Sequence, residues 1–123
     1  MSSMIKIAVD AMGGDSSPKK IVDGIIYHHS SNKDVFYKIF GDEKMISKCI
    51  NNKIEKSCYE IVNTNNKVSS EDSPLEAAKR GKDTSMWLAI ESVKKKDCDI
   101  VISAGNTGAL LVISKLNLKM IEN

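Results

Sequence analysis

Met4-Ile5-Lys6-Ile7-Ala8-Val9-Asp10, followed by Ala11-Met12-Gly13-Gly14-Asp15, is the stretch on which the reading of this chain turns. Apart from Lys6 and Asp10 its first seven residues are apolar and rich in β-branched types, and a Gly-rich turn ends them. That is the pattern of a buried strand. Ser17-Pro18 then offers an N-cap and a first-turn proline. Ile21, Val22, Ile25 and Ile26 supply one apolar face for a helix over residues 18–30.

The same alternation continues outward. Residues 35–40 read as a second strand ended by Gly41-Asp42, and 43–51 as a helix with Met45, Ile46 and Ile50 inward. Residues 58–62 read as a third strand, and 63–72 as a polar loop. Ser73-Pro74-Leu75-Glu76 is a capping box with proline at the first helical position. Gly81 interrupts, and a new start at Asp83 or Thr84 opens a helix carrying Met86, Ile90 and Val93. Residues 99–103 form the most apolar strand, and a helix follows over 106–118. Strands alternating with helices predict an α/β fold, a parallel sheet covered on both faces as a three-layer αβα arrangement.

Composition bounds the function. At 123 residues the chain fits one domain. With 41% hydrophobic residues it is too apolar for a disordered tail. Eighteen basic against sixteen acidic residues leave a net charge of +2, so no nucleic-acid partner is expected. All the basic residues but Arg80 are lysine, and Ile outnumbers Leu fifteen to six, so the lysine-rich surface reflects compositional bias. No apolar run exceeds five residues (109–113), well short of the ~20 of a membrane span. Lys6 and Asp10 break up what a signal peptide would need as an apolar block. Cys49, Cys58 and Cys98 are odd in number and without CxxC spacing, so they read as reduced thiols of a cytoplasmic protein. His28 and His29 close the first helix, where its partial negative charge favours them. Neither has a metal-like partner, and no metal or cofactor is expected. Trp87 reads as core.

Ligands of open parallel sheets bind beyond the carboxyl ends of the strands, which points to two loops. In the first, Gly13 and Gly14 let a ligand approach the backbone, while Asp10 and Asp15 are candidates to orient a substrate or move a proton. The same residues also suit a tight turn in which Asp15 caps the helix. In the second, Ser103-Ala104-Gly105-Asn106-Thr107-Gly108 joins the most apolar strand to an apolar helix. Free N–H groups at such a helix start bind phosphate by hydrogen bonding and dipole together. Small residues here also suit simple βα packing. Neither the Walker nor the GxGxxG pattern is present. A third feature, Lys79-Arg80-Gly81-Lys82-Asp83-Thr84-Ser85, is either an anion or acidic-partner site or a solvated basic face.

Taken together, these segments resemble a known family. Residues 7–15 with Pro18, and Val101-Ile102-Ser103-Ala104-Gly105-Asn106-Thr107-Gly108-Ala109-Leu110, are similar in sequence and separation to the two hallmark motifs of the bacterial phosphate acyltransferases of phospholipid synthesis. Arg80, Lys82, Ser85 and Met86 match the family's basic segment, while Glu76, Gly81 and Thr84 depart from its pattern. The resemblance covers the whole chain but only the first third or so of a usual family member. It implies an isocitrate/isopropylmalate dehydrogenase-like fold, of which residues 1–123 would be the N-terminal portion. It also implies transfer of a fatty acyl group from acyl carrier protein to inorganic phosphate, in a cytoplasmic, membrane-associated homodimer. Phosphate is itself the nucleophile on a thioester, so the protein must orient it and stabilise an oxyanion. Gly13, Gly14, Ser103, Gly105, Asn106, Thr107, Gly108, Arg80 and Ser85 are the candidate phosphate and substrate contacts, with Asp10, Asp15 and Lys82 as catalytic candidates. A non-catalytic phosphate- or acyl-phosphate-binding module and a self-associating structural remnant are the competing readings.

Overall fold

The computed structural model describes residues 4–13, 17–65, 73 and 84–103. The elements run β1 (Ile5–Asp10), α1 (Lys19–Ser31), β2 (Val35–Gly41), α2 (Glu43–Ile50), a 3-10 turn (Lys56–Cys58), β3 (Tyr59–Asn63), α3 (Ser85–Lys94) and β4 (Ile100–Ser103). The four strands form one parallel sheet in the order β3-β2-β1-β4. The expected α/β fold is therefore present. The helix opened at Ser73, the stretch 66–72 and the helix over 106–118 fall outside the described residues. Among the described residues, no helix is long and apolar enough to cross a membrane.

Strand alternation sorts side chains into two cores. Val9 of β1, Val35, Tyr37 and Ile39 of β2 and Ile61 of β3 pack with Val22 and Ile25 of α1 and Ile46 and Ile50 of α2. Ala8, Phe40, Val62 and Val101 face the other way, against Ala89, Leu88 and Val93 of α3. The sheet thus has α1 and α2 on one face and α3 on the other. Ile39, Ile46, Ile50 and Ile90 are among the largest fully buried side chains. Each such side chain contributes about 1.5–3 kcal/mol relative to exposure.

Two local expectations are corrected. Pro18, not Ser17, occupies the α1 N-cap position, and no side chain caps that end. The Ser17 hydroxyl instead donates to the Gly13 carbonyl. Met45 lies 45% exposed although Ile46 and Ile50 are buried, because the short α2 turns only one narrow face to the sheet. That helix starts where Asp42 accepts the Met45 N–H at 3.2 Å, and Asn63 at the end of β3 accepts the Glu43 N–H at 2.9 Å.

Register is fixed at the opposite end of the sheet. The Asp99 N–H donates to the Lys6 carbonyl at 2.8 Å, and the Lys6 N–H donates to Asp99 Oδ2 at 2.9 Å. Four residues further along both parallel strands, Asp10 stands opposite Ser103. Period-2 alternation then turns both side chains to the α3 face, as it does Ala8 and Val101.

Candidate functional site

The strand order carries the first clue. The chain steps from β1 through β2 to β3 in one direction, then returns to place β4 on the other side of β1. The carboxyl ends of β1 and β4 therefore flank a topological switch point, the position at which open α/β sheets bind ligands. Asp10 and Ser103 are the last residues of those two strands.

Asp10 is 1% exposed. A buried carboxylate needs donors to replace water, and three converge on this one. Ser85 Oγ donates to Asp10 Oδ1 at 2.7 Å, Ser103 Oγ donates to Asp10 Oδ2 at 2.8 Å, and the Met12 N–H donates to Oδ1 at 3.1 Å. The carboxylate thereby joins the ends of two strands, the loop after β1 and the first turn of α3. Thr84 is the α3 N-cap, its Oγ1 accepting the Trp87 N–H at 3.2 Å. Capping leaves earlier N–H groups of that turn without intrahelical partners, at the positive end of the helix dipole. The arrangement holds hydroxyls and a helix start together around a buried anchor. Both oxygens of Asp10 accept hydrogen bonds from the protein.

Of the residues singled out from sequence, the structure brings together Asp10, Ser85 and Ser103. Gly13 lies buried in the loop after β1, where its carbonyl accepts from Ser17. Gly14, Asp15, Arg80, Lys82, Gly105, Asn106, Thr107 and Gly108 lie outside the described residues. Trp87 is buried, as read. Cys49, Cys58 and Cys98 are free thiols.

The reading of His29 is corrected. His29 is buried, and burial pushes its pKa below the ordinary 6.5, with Lys33 adding to the shift and Glu55 opposing it. Desolvation thus outweighs the helix dipole that was expected to favour the charged ring. His28 Nδ1 pairs with the Tyr37 hydroxyl at 2.5 Å, and burial raises the pKa of that phenol. His29 also has neighbours that spacing did not reveal. One ligand-type atom from each of His29, Glu55 and Cys58 falls within 4.8 Å of the others. Only the Glu55/Cys58 separation of three was visible in sequence; His29 arrives through the packing of α1 on the sheet.

A parallel sheet between helix layers, with a hydroxyl–carboxylate cluster at its switch point, defines an α/β protein of the class that binds ligands at its strand ends. The model of the family described as "Fatty acid synthesis protein" matches residues 5–123, and the chain belongs to that family. It is 68% identical over its entire length to the phosphate acyltransferase of Pelagibacter ubique (strain HTCC1062), covering 37% of that protein. It is 47% identical over 87% of its length to the phosphate acyltransferase of Listeria monocytogenes serotype 4a (strain HCC23), covering 31% of it. Against the phosphate acyltransferase of Afipia carboxidovorans the identity is 37% over 98% of the chain, covering 35% of that protein. The chain thus spans about a third of the length of the curated relatives it matches.

Proposed function

We propose that residues 1–123 form the N-terminal α/β portion of a phosphate acyltransferase. In this reading it moves a fatty acyl group from acyl carrier protein to inorganic phosphate, giving acyl phosphate for phospholipid synthesis. The observation that carries the reading is the Asp10–Ser85–Ser103 cluster at the β1/β4 switch point, in a chain whose relatives bear that name. A phosphate oxygen attacks the thioester carbonyl carbon, the C–S bond breaks, and the carrier's thiolate leaves. Phosphate supplies the nucleophile, so the protein's task is to hold and orient it and to donate to the developing oxyanion.

In this proposal Asp10 fixes the Ser85 and Ser103 hydroxyls, and the first turn of α3 lends its N–H groups to the phosphate. Residues 105–108 add further donors, and Arg80 and Lys82 offset charge and meet the acidic carrier protein. The remaining two-thirds of the relatives' length corresponds to the acyl-binding side and to a homodimer surface, with the assembly working in the cytoplasm at the membrane face. The test follows phosphate-dependent loss of the acyl-carrier thioester, in this chain alone and in a polypeptide extended to the relatives' length. The reading expects turnover in the longer polypeptide and its loss with Asp10→Ala. Thioester loss that ignores phosphate contradicts it.

A further inference from the structure

We infer that His29, Glu55 and Cys58 form a site for a zinc-type divalent cation, at the end of the sheet opposite the Asp10 cluster. His29 belongs to the last turn of α1, while Glu55 precedes and Cys58 ends the 3-10 turn that leads into β3. The three donors therefore gather beside the amino-terminal ends of β2 and β3, whereas Asp10 and Ser103 close the carboxyl ends of β1 and β4.

Three observations carry the site. The donor atoms are an imidazole nitrogen, a thiol sulfur and a carboxylate oxygen, all within 4.8 Å of one another. Mixed nitrogen, sulfur and oxygen donors suit Zn²⁺ and its spectroscopic substitute Co²⁺, and three protein ligands leave a fourth position for water. Next, the buried polar atoms are poorly used. His29 Nδ1 is buried without a hydrogen-bond partner among the described residues, and Nε2 only accepts a long 3.3 Å contact from the Glu55 N–H. Cys58 Sγ has only distant partners, at 3.8 Å from the Lys33 carbonyl and 3.9 Å from Glu55 Oε2 and Ser57 Oγ. A buried imidazole ordinarily has its nitrogens satisfied, and a cation would give this ring a strong partner.

Burial is also graded in the way such a site requires. Cys58 is 3% exposed and His29 1%, while Glu55 is open to solvent. Bonds of about 2.0–2.3 Å to a tetrahedral ion place donors about 3.5 Å apart. Glu55 Oε2 already lies 3.9 Å from Cys58 Sγ, and the exposed Glu55 side chain is free to adjust, so ion binding draws the three donors in from at most 4.8 Å. Binding displaces the Cys58 thiol proton to solvent. Thiolate and carboxylate then balance the two positive charges, so the ion enters as a neutral unit despite nearby Lys33. Such an ion would clamp α1 to the segment entering β3.

The test is a titration of the full chain with Co²⁺, followed by thiolate-to-cobalt absorption in the near ultraviolet and by the visible bands of a tetrahedral ion. One equivalent should produce both signals, Zn²⁺ should abolish them, and Zn²⁺ should raise Tm. Cys58→Ser should remove the thiolate band, while the double variant Cys49→Ser/Cys98→Ser keeps it. Glu55→Gln alters an exposed side chain, so it tests affinity in a folded protein, checked by circular dichroism. It should weaken binding about tenfold or more. An octahedral spectrum, a thiolate band that survives Cys58→Ser, or equal affinity in Glu55→Gln and the parent overturns the site.

Discussion

Ser103 donates its hydroxyl to Asp10 Oδ2 at 2.8 Å, joining the final residues of two adjacent parallel strands that lie 93 positions apart in the chain. Ser85 completes the arrangement from the first turn of α3. One buried carboxylate is thus the common acceptor of the elements that meet at the switch point.

Removing that acceptor strands three donors. Asp10→Ala should lower the unfolding free energy by about 3 kcal/mol or more, because hydrogen bonds to charged groups contribute about 1.5–3 kcal/mol each and their buried donors are left unpaired. Ser85→Ala should cost less, about 1–2 kcal/mol, since the carboxylate keeps its other two donors. Urea denaturation of the two variants reads both values, and the order Asp10→Ala above Ser85→Ala is the discriminating result.

Gly41 ends β2 against the loop that follows Asp10. A Cβ there would stand 2.6 Å from Met12 Cγ, 2.8 Å from Met12 Sδ and 2.9 Å from Ile46 Cδ1. Gly41→Ala should therefore destabilise by about 1–3 kcal/mol through overpacking. Met12→Ala in the same chain removes two of these three close atoms and leaves Ile46 Cδ1, so a double-mutant cycle should show a favourable but partial coupling between the two changes.

Lys96 carries φ +63° just past the end of α3. Its N–H donates to the Val93 carbonyl and the Asp97 N–H to the Ser92 carbonyl, the paired bonds of a helix closed by a left-handed residue. Lysine accepts that backbone at a cost of about 1 kcal/mol that glycine avoids. Lys96→Gly should raise the unfolding free energy by up to about that amount, measured by denaturant midpoint at unchanged slope.

His29 links stability to pH. Its folded pKa lies below the ordinary 6.5 because burial disfavours the charged ring. The unfolded chain therefore takes up the proton first as pH falls. The contribution is fully present above 6.5, is lost on acidification below it, and levels off once the folded pKa is passed. With a chelator present, thermal melts from pH 7.5 to 5 should show falling Tm, and His29→Gln should flatten that slope.

The alternation of elements was legible because each carries its own period: β-branched runs at residues 4–10 and 99–103, and helical spacing at Val22, Ile25 and Ile90. Asp10, Ser85 and Ser103 were legible as residue types within motifs. Their union was not, since it depends on which strands pair and in what register, and Asp99 on Lys6 sets that register across the chain. Local rules failed where tertiary contacts overrode them. Ser17 turned to Gly13 instead of capping α1, Met45 fell off the narrow buried face of α2, and packing on Tyr37 and Glu55 buried His29. The His29–Glu55–Cys58 grouping likewise needed the helix laid on the sheet.

The most direct test of the functional account is steady-state kinetics of phosphate-dependent acyl release from acyl carrier protein. It compares Ser103→Ala with the parent in a polypeptide extended to the relatives' length. The account predicts a loss of about tenfold or more in kcat/KM for phosphate, because the change removes the hydrogen bond that holds the end of β4 to Asp10 beside the phosphate position, with the KM for the carrier unchanged. Unaltered phosphate kinetics in a folded Ser103→Ala protein would contradict it.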